Sequence, residues 1–452
     1  MKGCNKNMYS DEAGVRTLLQ KVLGYSQAEQ TEVLYLGTES ALTRFATNHI
    51  HQNVAESDGE LRVRAVDGKK IGIASTNRLD DESLRRVTEQ ALEIARIQPE
   101  NPEFHSLPQP QPIVLAPGYN ALTAQFTPEE RAQRVGIIVK LAKEKGLEAA
   151  GAFSTSTNYI GVANSLGIFA YEPRTESECH AVIMADERGS GYTQRMATDA
   201  STLDFEAMAR EAVEKAQRSR SPIDIELGEY EVVLDAYAVA DMLQNLAFMG
   251  LTATAVQEER SFMNGQFGKQ LLDPRVTIYD DGHDPVGLPQ SFDYEGFPKQ
   301  RVAMIDHGVA NAVVYDSFTA AREGKPNTGH ALPAPNSYGP LPTHTMLAAG
   351  DASVEEMIRA IDRGIYVTRF HYTNVLHPVK TLFTGMTRDG TFLIEHGELT
   401  RPIKNLRFTQ SILDVLHDVK AIGRERIQCS EYITVVASAI HAARFNFTGI
   451  TG

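Results

Sequence analysis

The chain has 452 residues, of which 42% are hydrophobic and 23% charged, and its formal net charge at neutral pH is −14. This length predicts two or three domains, and the composition is that of a soluble globular protein. The acidic balance argues against a general nucleic-acid or anionic-membrane surface, since phosphates are repelled on average. No apolar signal-peptide region or transmembrane stretch of about 20 residues is present, so neither is expected. The odd set Cys4, Cys179 and Cys429 contains no CxxC spacing and favours a reducing, cytoplasmic location.

The first half of the chain alternates between helical and strand-like patterns. Helices are predicted over residues 12–23, 80–97, 127–145 and 205–218. Residues 31–54 alternate in polarity as strands do, and Asp67-Gly68 joins two β-rich runs as a hairpin. These patterns predict an α+β domain with a mainly antiparallel sheet.

A domain boundary is predicted after the fourth of these helices. A basic, Ser-rich turn and Pro222 end that helix, and a further helix is predicted over residues 236–256. Beyond it the chain becomes short strands and turns, with Gly, Pro and Asp-Gly at short intervals. The sequence therefore predicts an amino-terminal α+β domain over residues 1–225 and a β-rich carboxy-terminal domain over residues 226–452.

No catalytic or metal-binding set occurs at a recognisable spacing. His49 and His51 could share a metal on one strand face, but a pair of polar residues on a solvated strand face is the preferred interpretation. Cys179 and His180 are adjacent on a strand and face opposite ways. HExxH, GxSxG and GxxxxGK[ST] are missing. We therefore predict no catalytic residue, no metal ligand and no cofactor.

The predicted helix over 236–256 carries an unexplained pair of amides. Within its segment DMLQNLAFMG (241–250), Gln244 and Asn245 interrupt an apolar run. A buried amide without partners costs about 1–3 kcal/mol, so a core helix would normally carry Leu or Ala at these positions. The amides indicate either the lining of a groove or hydrogen bonds at a surface or subunit contact, and the sequence leaves both readings open.

Several strings in the chain are specific rather than generic. In the second half they are RSFMNGQFGKQLLDPRVTIYDDG (260–282), SFDYEGFPKQRVAMIDHGV (291–309), PNTGHA (326–331) and TGMTRDGTFLIEHGELTRPIKNLRFT (384–409). In the first half, ALTRFATNHIHQNV and GKKIGIASTNRLDDESL join them. In this order and spacing the strings resemble the TldD/PmbA family, also called TldD/TldE, over about residues 30–450.

The resemblance implies a fold, an assembly and a site. It implies an α+β amino-terminal domain, a β-rich carboxy-terminal domain, and dimers whose subunits enclose a groove for an extended peptide. The TldD branch is a zinc peptidase with HExxxH on a helix that begins the second domain, whereas the PmbA/TldE branch lacks this motif and serves as a non-catalytic partner. Aligned on that helix, Gln244, Asn245 and Met249 stand at the first histidine, the general-base glutamate and the second histidine. The family's later cysteine ligand falls near residues 422–424, several residues from Cys429.

These replacements remove zinc chemistry and point to the PmbA/TldE branch. Gln and Met are poor zinc ligands beside imidazole, and Asn cannot accept a proton from metal-bound water. Three functions stay open: a metal-free subunit paired with a peptidase-competent TldD-like relative, a zinc peptidase with non-standard ligands such as His371 or His377, and a homodimeric peptide-binding protein without catalysis. The expected partners are an identical or paralogous subunit and an extended peptide, with no direct nucleic-acid or membrane contact.

Overall fold

The computed structural model describes residues 8–186, 188–430 and 432–451, so Cys4 lies outside the described residues. Its helices are α1 (Glu12–Tyr25), α2 (Asp81–Ile97), α3 (Ala121–Ala124), α4 (Pro128–Glu144), α5 (Phe205–Arg218), α6 (Ala236–Gly250), α7 (Ala253–Gln257), α8 (Ser317–Glu323), α9 (Val354–Arg359) and α10 (Ile412–His417). Its strands are β1 (Gln30–Ala46), β2 (His49–Asp67), β3 (Lys70–Thr76), β4 (Glu148–Asn164), β5 (Phe169–Met184), β6 (Ser190–Ala197), β7 (Gly228–Leu234), β8 (Ile278–Asp280), β9 (Val302–Asp306), β10 (Val309–Ala310), β11 (His344–Leu347), β12 (Arg363–His377), β13 (Leu382–Glu395), β14 (Glu398–Pro402), β15 (Leu406–Ser411), β16 (Val419–Ile422), β17 (Ile427–Ser430), β18 (Thr434–Ala437) and β19 (Ile440–Ile450).

The amino-terminal half is built on one antiparallel sheet. Its six strands run in the order β3-β2-β1-β4-β5-β6, and each neighbouring pair is antiparallel. Alternation along β1 puts Val33, Tyr35 and Phe45 on one face, where α1 and α2 cover one end and α4 and α5 cover the other. The predicted α+β class with a mainly antiparallel sheet is confirmed.

The opposite face of this sheet packs against the carboxy-terminal half. Leu34 on the sheet and Phe292 beyond it belong to one small hydrophobic cluster. Next to this cluster, Arg64 forms ion pairs with Glu32 at 2.5 Å and with Glu295 at 2.9 Å, and all three side chains are largely buried. The two halves therefore meet through an interface that is partly apolar and partly ionic.

The carboxy-terminal half contains two sheets. One is a mixed six-stranded sheet in the order β10-β9-β8-β11-β18-β17. In the other, β12 pairs with both β7 and β13, so that β12, β7, β19, β15 and β13 form a closed ring. Phenylalanine rings pack tightly here, with the ring centroids of Phe370 and Phe408 only 4.5 Å apart. The predicted β-rich character of this half is confirmed, and the predicted division near residue 225 falls in the extended segment between α5 and β7.

Helix α6 lies between the ring and the six-stranded sheet. Twelve of its fifteen residues are buried, and Leu243 shares one hydrophobic core with Ile278 of the sheet and Val367 of the ring. Across the described parts of the chain, no helix combines the length and the hydropathy that crossing a membrane requires.

The helix predicted over residues 236–256 is interrupted. After Gly250 the chain turns, and Thr252 caps the separate helix α7 by accepting a hydrogen bond from the N–H of Ala255 at 3.2 Å. Threonine is a favoured N-cap residue because its hydroxyl satisfies a backbone donor that the helix leaves free. The apolar spacing continues through the break, and for this reason the sequence pattern predicted one helix.

Candidate functional site

Gln244 and Asn245 of α6 are both hydrogen-bonded to neighbouring groups. The side-chain oxygen of Gln244, a residue only 9% exposed, accepts a hydrogen bond from the backbone N–H of Tyr432 at 3.1 Å. The side-chain amide of Asn245 donates to the carboxylate of Asp241, one turn earlier on α6, at 2.8 Å. Thr373 of β12 donates to the same carboxylate at 2.8 Å. The amide pair thus belongs to a network that ties α6 to β12 and to the segment containing Tyr432.

The same part of α6 borders a cleft of about 590 Å³ beside the outer half of β12. Its walls combine amides, one carboxylate and several aromatic rings. The lining residues are Asp241, Gln244, Asn245, Phe248, Tyr338, Phe370, His371, Tyr372, Thr373, Asn374, Val375 and Tyr432. Pockets of roughly 300–1,000 Å³ are typical of ligand sites, so this cleft is large enough to hold part of a ligand.

Met249 lies elsewhere. It is 2% exposed and belongs to the hydrophobic core that α6 shares with both carboxy-terminal sheets. Positions five apart on an ideal helix are separated by about 140°, so a side chain at 249 points well away from one at 244. Of the three positions matched to the zinc motif, the structure brings Gln244 and Asn245 to the cleft and leaves Met249 in the core.

A smaller cavity of about 60 Å³ also contacts Gln244, where α6 meets the amino-terminal sheet. It is lined by Tyr192, Gln194, Tyr237, Ala240, Asp241, Gln244, Arg369, Phe370, Cys429 and Val435. Gly423 and Arg424, near which the alignment placed the family's cysteine, line a different cavity instead. In space, the cysteine that lines a cavity together with Gln244 is therefore Cys429 of β17.

The donors around Gln244 do not fit a zinc ion. Zinc sites use imidazole, thiolate or carboxylate ligands in sets of three or four. Among the described residues no three or more His, Cys, Asp or Glu side chains are grouped to hold a metal. Burial raises the pKa of the Cys429 thiol, which is therefore protonated at neutral pH.

The two histidines considered as non-standard ligands do not complete a set either. His371 lines the cleft, whereas His377 is exposed at the far end of β12. Burial, together with the nearby charges of Arg388 and Arg369, lowers the pKa of His371, so its imidazole is neutral at physiological pH. A neutral imidazole in this wall offers a hydrogen-bond donor and an acceptor to a bound ligand.

A buried ionic network lies behind the smaller cavity. The carboxylate of Glu211 accepts a hydrogen bond from the hydroxyl of Tyr237 at 3.1 Å and pairs with Arg195 at 3.0 Å. Lys215 pairs with Glu211 at 3.0 Å and with Asp235 at 2.9 Å. Burial alone would lower the pKa of Lys215, but the Asp235 carboxylate holds it well above its ordinary value. Lys215 therefore stays protonated, and the network positions Tyr237 rather than supplying a base.

Three of the family-like strings, residues 260–282, 291–309 and 326–331, meet in a buried cluster that lines neither cavity. Asp280 is fully buried, with His330 Nε2 at 2.9 Å from one carboxylate oxygen and the backbone N–H of His344 donating to the other at 2.7 Å. Lys299 Nζ lies 3.6 Å from the same carboxylate. Burial would raise the pKa of Asp280, but Lys299 and His330 hold it far below its ordinary range. These strings therefore stabilise the fold around a buried carboxylate.

Sequence reasoning missed most of the residues that surround the amides. Asp241 stands four residues before Asn245, a spacing at which side chains meet on a helix, so this partner could have been found. Thr373, Cys429 and Tyr432 come from distant parts of the chain, and no local pattern marks them. Only the three-dimensional pairing of α6 with β12 and β17 brings these residues together.

The fold and the cleft define a class of protein. It is an α+β chain that presents an amide- and aromatic-lined cleft beside a buried helix, without a zinc ligand set among the residues that the structure describes. The chain belongs to the PmbA/TldD family. Family models match residues 31–95 (PmbA/TldA metallopeptidase domain 1), 127–220 (central domain) and 227–449 (C-terminal domain). The family resemblance predicted from the strings is confirmed.

Relatives and solved structures agree with this assignment. The metalloprotease TldD homolog of Haemophilus influenzae is 24% identical, over 88% of this chain and 84% of that protein. The metalloprotease PmbA of Escherichia coli O157:H7 is 23% identical, over 93% of this chain and 94% of that protein. The crystal structure of TldE from Thermococcus kodakarensis has a TM-score of 0.88 at 21% identity, covering 97% of this chain and 99% of that one. The chain is therefore similar to TldD/PmbA/TldE-type metalloproteases along nearly its whole length.

Proposed function

We propose that this chain is a non-catalytic PmbA/TldE-type subunit that holds extended peptides in the cleft beside α6. The observation that carries the proposal is the wall of this cleft. Gln244 and Asn245, which the predicted alignment matches to zinc-motif positions, are hydrogen-bonded into the fold, and the nearby Cys429 thiol is protonated. A site of this kind can bind a peptide but lacks the groups that would activate water.

An uncovered strand edge supports binding of an extended peptide. β7 pairs with β12 only at residues 364–367, and no described strand continues along that edge beside residues 370–375, which border the cleft. Added strands gain backbone hydrogen bonds that do not depend on sequence. Tyr338, Tyr372 and Tyr432 stand at the cleft with exposures of 59%, 72% and 79%, and their rings offer adaptable contacts to varied side chains.

The proposal includes a second subunit. A peptidase-competent TldD-like relative would supply hydrolysis, whereas a second copy of this chain would give a peptide-binding dimer without catalysis. Both kinds of relative, TldD and PmbA, are similar to this chain along most of its length. The free buried thiols of Cys179 and Cys429 support action in the reducing cytoplasm, and the net charge of −14 supports peptide rather than DNA as the ligand.

Backbone N-methylation tests the mode of binding. Successive residues of an extended peptide present their N–H groups to opposite sides, so methylation of alternate residues removes the donors on one side only. Two peptides of one sequence, methylated at odd or at even positions, should differ in affinity by about tenfold or more, measured by fluorescence anisotropy. Equal affinities, or no binding of the unmethylated peptide, would contradict the proposal.

Metal and activity measurements test the non-catalytic part. We expect the purified chain to hold far less than one equivalent of zinc and to cleave neither casein nor short peptides on its own. Elemental analysis and a peptidase assay before and after chelation measure both properties. One equivalent of zinc, lost on chelation together with cleavage, would instead establish a peptidase with non-standard ligands.

A further inference from the structure

The helix-covered face of the amino-terminal sheet is open in its middle. Along β1, α1 and α2 pack over Val33 and Tyr35, whereas α4 and α5 pack over Phe45. Between the two helix pairs the sheet forms the floor of a cleft of about 530 Å³, and α3 and the residues after it form its rim. This cleft is separate from the cleft beside α6, because the two have no lining residue in common.

Strand alternation decides which side chains of the floor face this cleft. Glu39 of β1 is directly opposite Ser57 of β2 and Thr157 of β4. Two residues further along β1, Ala41 is directly opposite Thr155 of β4. Odd-numbered positions of β1 share the helix-covered face, so these side chains all point into the cleft. The floor therefore carries a carboxylate near α1 and a threonine hydroxyl two residues closer to α4.

A buried arginine lies at the α4 end of the cleft. Arg131 of α4 is only 1% exposed, and its guanidinium donates a hydrogen bond to the hydroxyl of Thr43 at 3.2 Å. It also donates to the hydroxyl of Thr155 at 3.3 Å and to the carbonyl oxygen of Phe126 at 2.8 Å. Because Thr155 and Phe126 both line the cleft, the guanidinium lies directly behind the cleft wall.

The charge of Arg131 has no buried counter-ion. Its three acceptors are uncharged, Glu129 and Glu130 before it on α4 are exposed, and no described carboxylate forms an ion pair with it. Burying a charge is costly unless an opposite charge compensates it, so this end of the cleft favours an anion. The Thr155 hydroxyl accepts from Arg131, and no described acceptor takes its own proton. It can therefore donate to a carboxylate in the cleft, with the guanidinium charge behind it.

The opposite end of the cleft favours a cation. The carboxylate of Glu39 is exposed and accepts a hydrogen bond from the hydroxyl of Tyr159 at 2.8 Å, and no described cationic side chain forms an ion pair with it. Arg131 bonds to residues that lie two and four positions from Glu39 along the sheet. At about 3.4 Å per residue, the two charges are roughly 7–14 Å apart.

We propose that this cleft binds a short peptide by its two free termini, with the ammonium group at Glu39 and the carboxylate at Thr155 and Arg131. An extended peptide spans roughly 3.3–3.6 Å per residue, so a peptide of about two to four residues matches the separation of the charges. A phosphate or a dicarboxylate would meet the Glu39 carboxylate without a compensating cation. A segment inside a longer chain presents neither terminus, so this ligand differs from that of the cleft beside α6, and the inference does not depend on the proposed function.

Blocking one terminus of the ligand at a time tests the two ends of the cleft. Isothermal titration calorimetry measures the affinities of trialanine, its N-acetyl form, its C-terminal amide and the doubly blocked form. Each single block removes one charge-assisted hydrogen bond and should weaken binding about tenfold. No binding of trialanine at millimolar concentration, or equal affinity of the free and doubly blocked forms, would overturn the inference.

Matched substitutions assign each terminus to its end of the cleft. In Glu39→Gln, the effect of N-acetylation should shrink to about twofold or less. Asp58→Asn removes a carboxylate from the opposite face of the same sheet and should leave that effect intact, because Asp58 pairs with Thr38, the neighbour of Glu39. In Thr155→Val the effect of amidation should shrink in the same way, whereas Thr155→Ser keeps the hydroxyl and the effect.

Two controls keep the outcomes separate. Thermal unfolding shows whether Thr155→Val is folded, and Glu39 is exposed, so Glu39→Gln tests the cleft even if the threonine variant is not. An effect of N-acetylation as large in Glu39→Gln as in the parent would overturn the inference. A long peptide with both termini blocked reports only on the cleft beside α6, so its failure to bind would refute the proposed function and leave the trialanine measurement unaffected.

Discussion

The side chain of Gln244 forms a hydrogen bond that it could not keep if it also bound a metal. Its oxygen holds the backbone N–H of Tyr432, and Asn245 donates to Asp241. A histidine or glutamate there would exchange these bonds for metal coordination. Under the proposed function, the two amides therefore stabilise the wall of the cleft instead of holding a metal.

A partial zinc site should nevertheless be recoverable. Gln244→His adds an imidazole to the cavity that Asp241 and Cys429 also line, and Asn245→Glu adds a carboxylate on the side of Asp241 that faces the cleft. Zinc lowers the pKa of a coordinating thiol enough to deprotonate it. We expect this double variant to bind zinc weakly, in the micromolar range, and the parent not at all. Competition with a chromophoric chelator measures the affinity.

Matched controls locate the sulfur ligand. Adding Cys429→Ser to the double variant should reduce zinc affinity by about tenfold or more, whereas adding Arg424→Cys should leave it unchanged, because Arg424 lines a different cavity. Adding Met249→His should lower stability without tightening the zinc site, since Met249 is buried in the apolar core. Zinc binding that depends on a cysteine at 424 and not on Cys429 would refute this arrangement.

At the scale of elements, the junction between α6 and β12 shapes the cleft. β12 continues for ten residues past its pairing with β7, and the main described polar link from this extension back to α6 is the bond from Thr373 to Asp241. Opening this link would widen the cleft without disturbing the hydrophobic core beneath it. The wall of the cleft therefore depends on the Thr373 hydroxyl as well as on the two amides.

Removal of that hydroxyl should be measurable. Thr373→Val keeps the shape of the side chain but leaves the Asp241 carboxylate without this donor, so we expect the free energy of unfolding to fall by about 1–2 kcal/mol. Thr373→Ser retains the hydroxyl and should stay within about 0.5 kcal/mol of the parent. Urea denaturation measures both variants. Equal losses in the two variants would mean that the methyl group, not the hydrogen bond, stabilises the junction.

The sequence predicted elements better than it predicted their partners. Alternation in residues 31–54 and the Asp67-Gly68 turn identified the long strands of the first sheet, since strand periodicity is local. The closing pair β12–β13 and the meeting of α6 with Tyr432 depend on contacts between distant residues, which leave no local pattern. The strings that resemble the family surround the buried carboxylate of Asp280. They therefore identify the fold and not the cleft.

At the scale of the molecule, carboxyl groups with raised pKa values lie where the two halves meet. Burial raises the pKa of Glu32 to about 7, although Arg64 opposes the shift. Burial, reinforced by the neighbouring Glu295, raises the pKa of Asp293 to about 8. Asp293 also accepts a hydrogen bond from the N–H of Ala331 at 2.9 Å. A change in the charge of Asp293 therefore affects the loop that contains Ala331 and faces the sheet.

Stability should therefore decline as the solution becomes alkaline. Both carboxyl groups have folded pKa values above their unfolded ones, so between about pH 4 and pH 8 these two groups bind more protons in the native chain than in the unfolded chain. The stability that they contribute therefore falls as pH rises through the folded pKa values. We expect a lower free energy of unfolding at about pH 8.5 than at about pH 6, and Glu32→Gln should reduce this difference by about 1–2 kcal/mol. Leu34→Ala loosens the same interface without a titratable group, so it should lower stability equally at both pH values. Urea denaturation of the parent and the two variants at both pH values measures these differences. If the stability of Glu32→Gln depends on pH as strongly as that of the parent, the Glu32 carboxyl does not control the interface between the two halves.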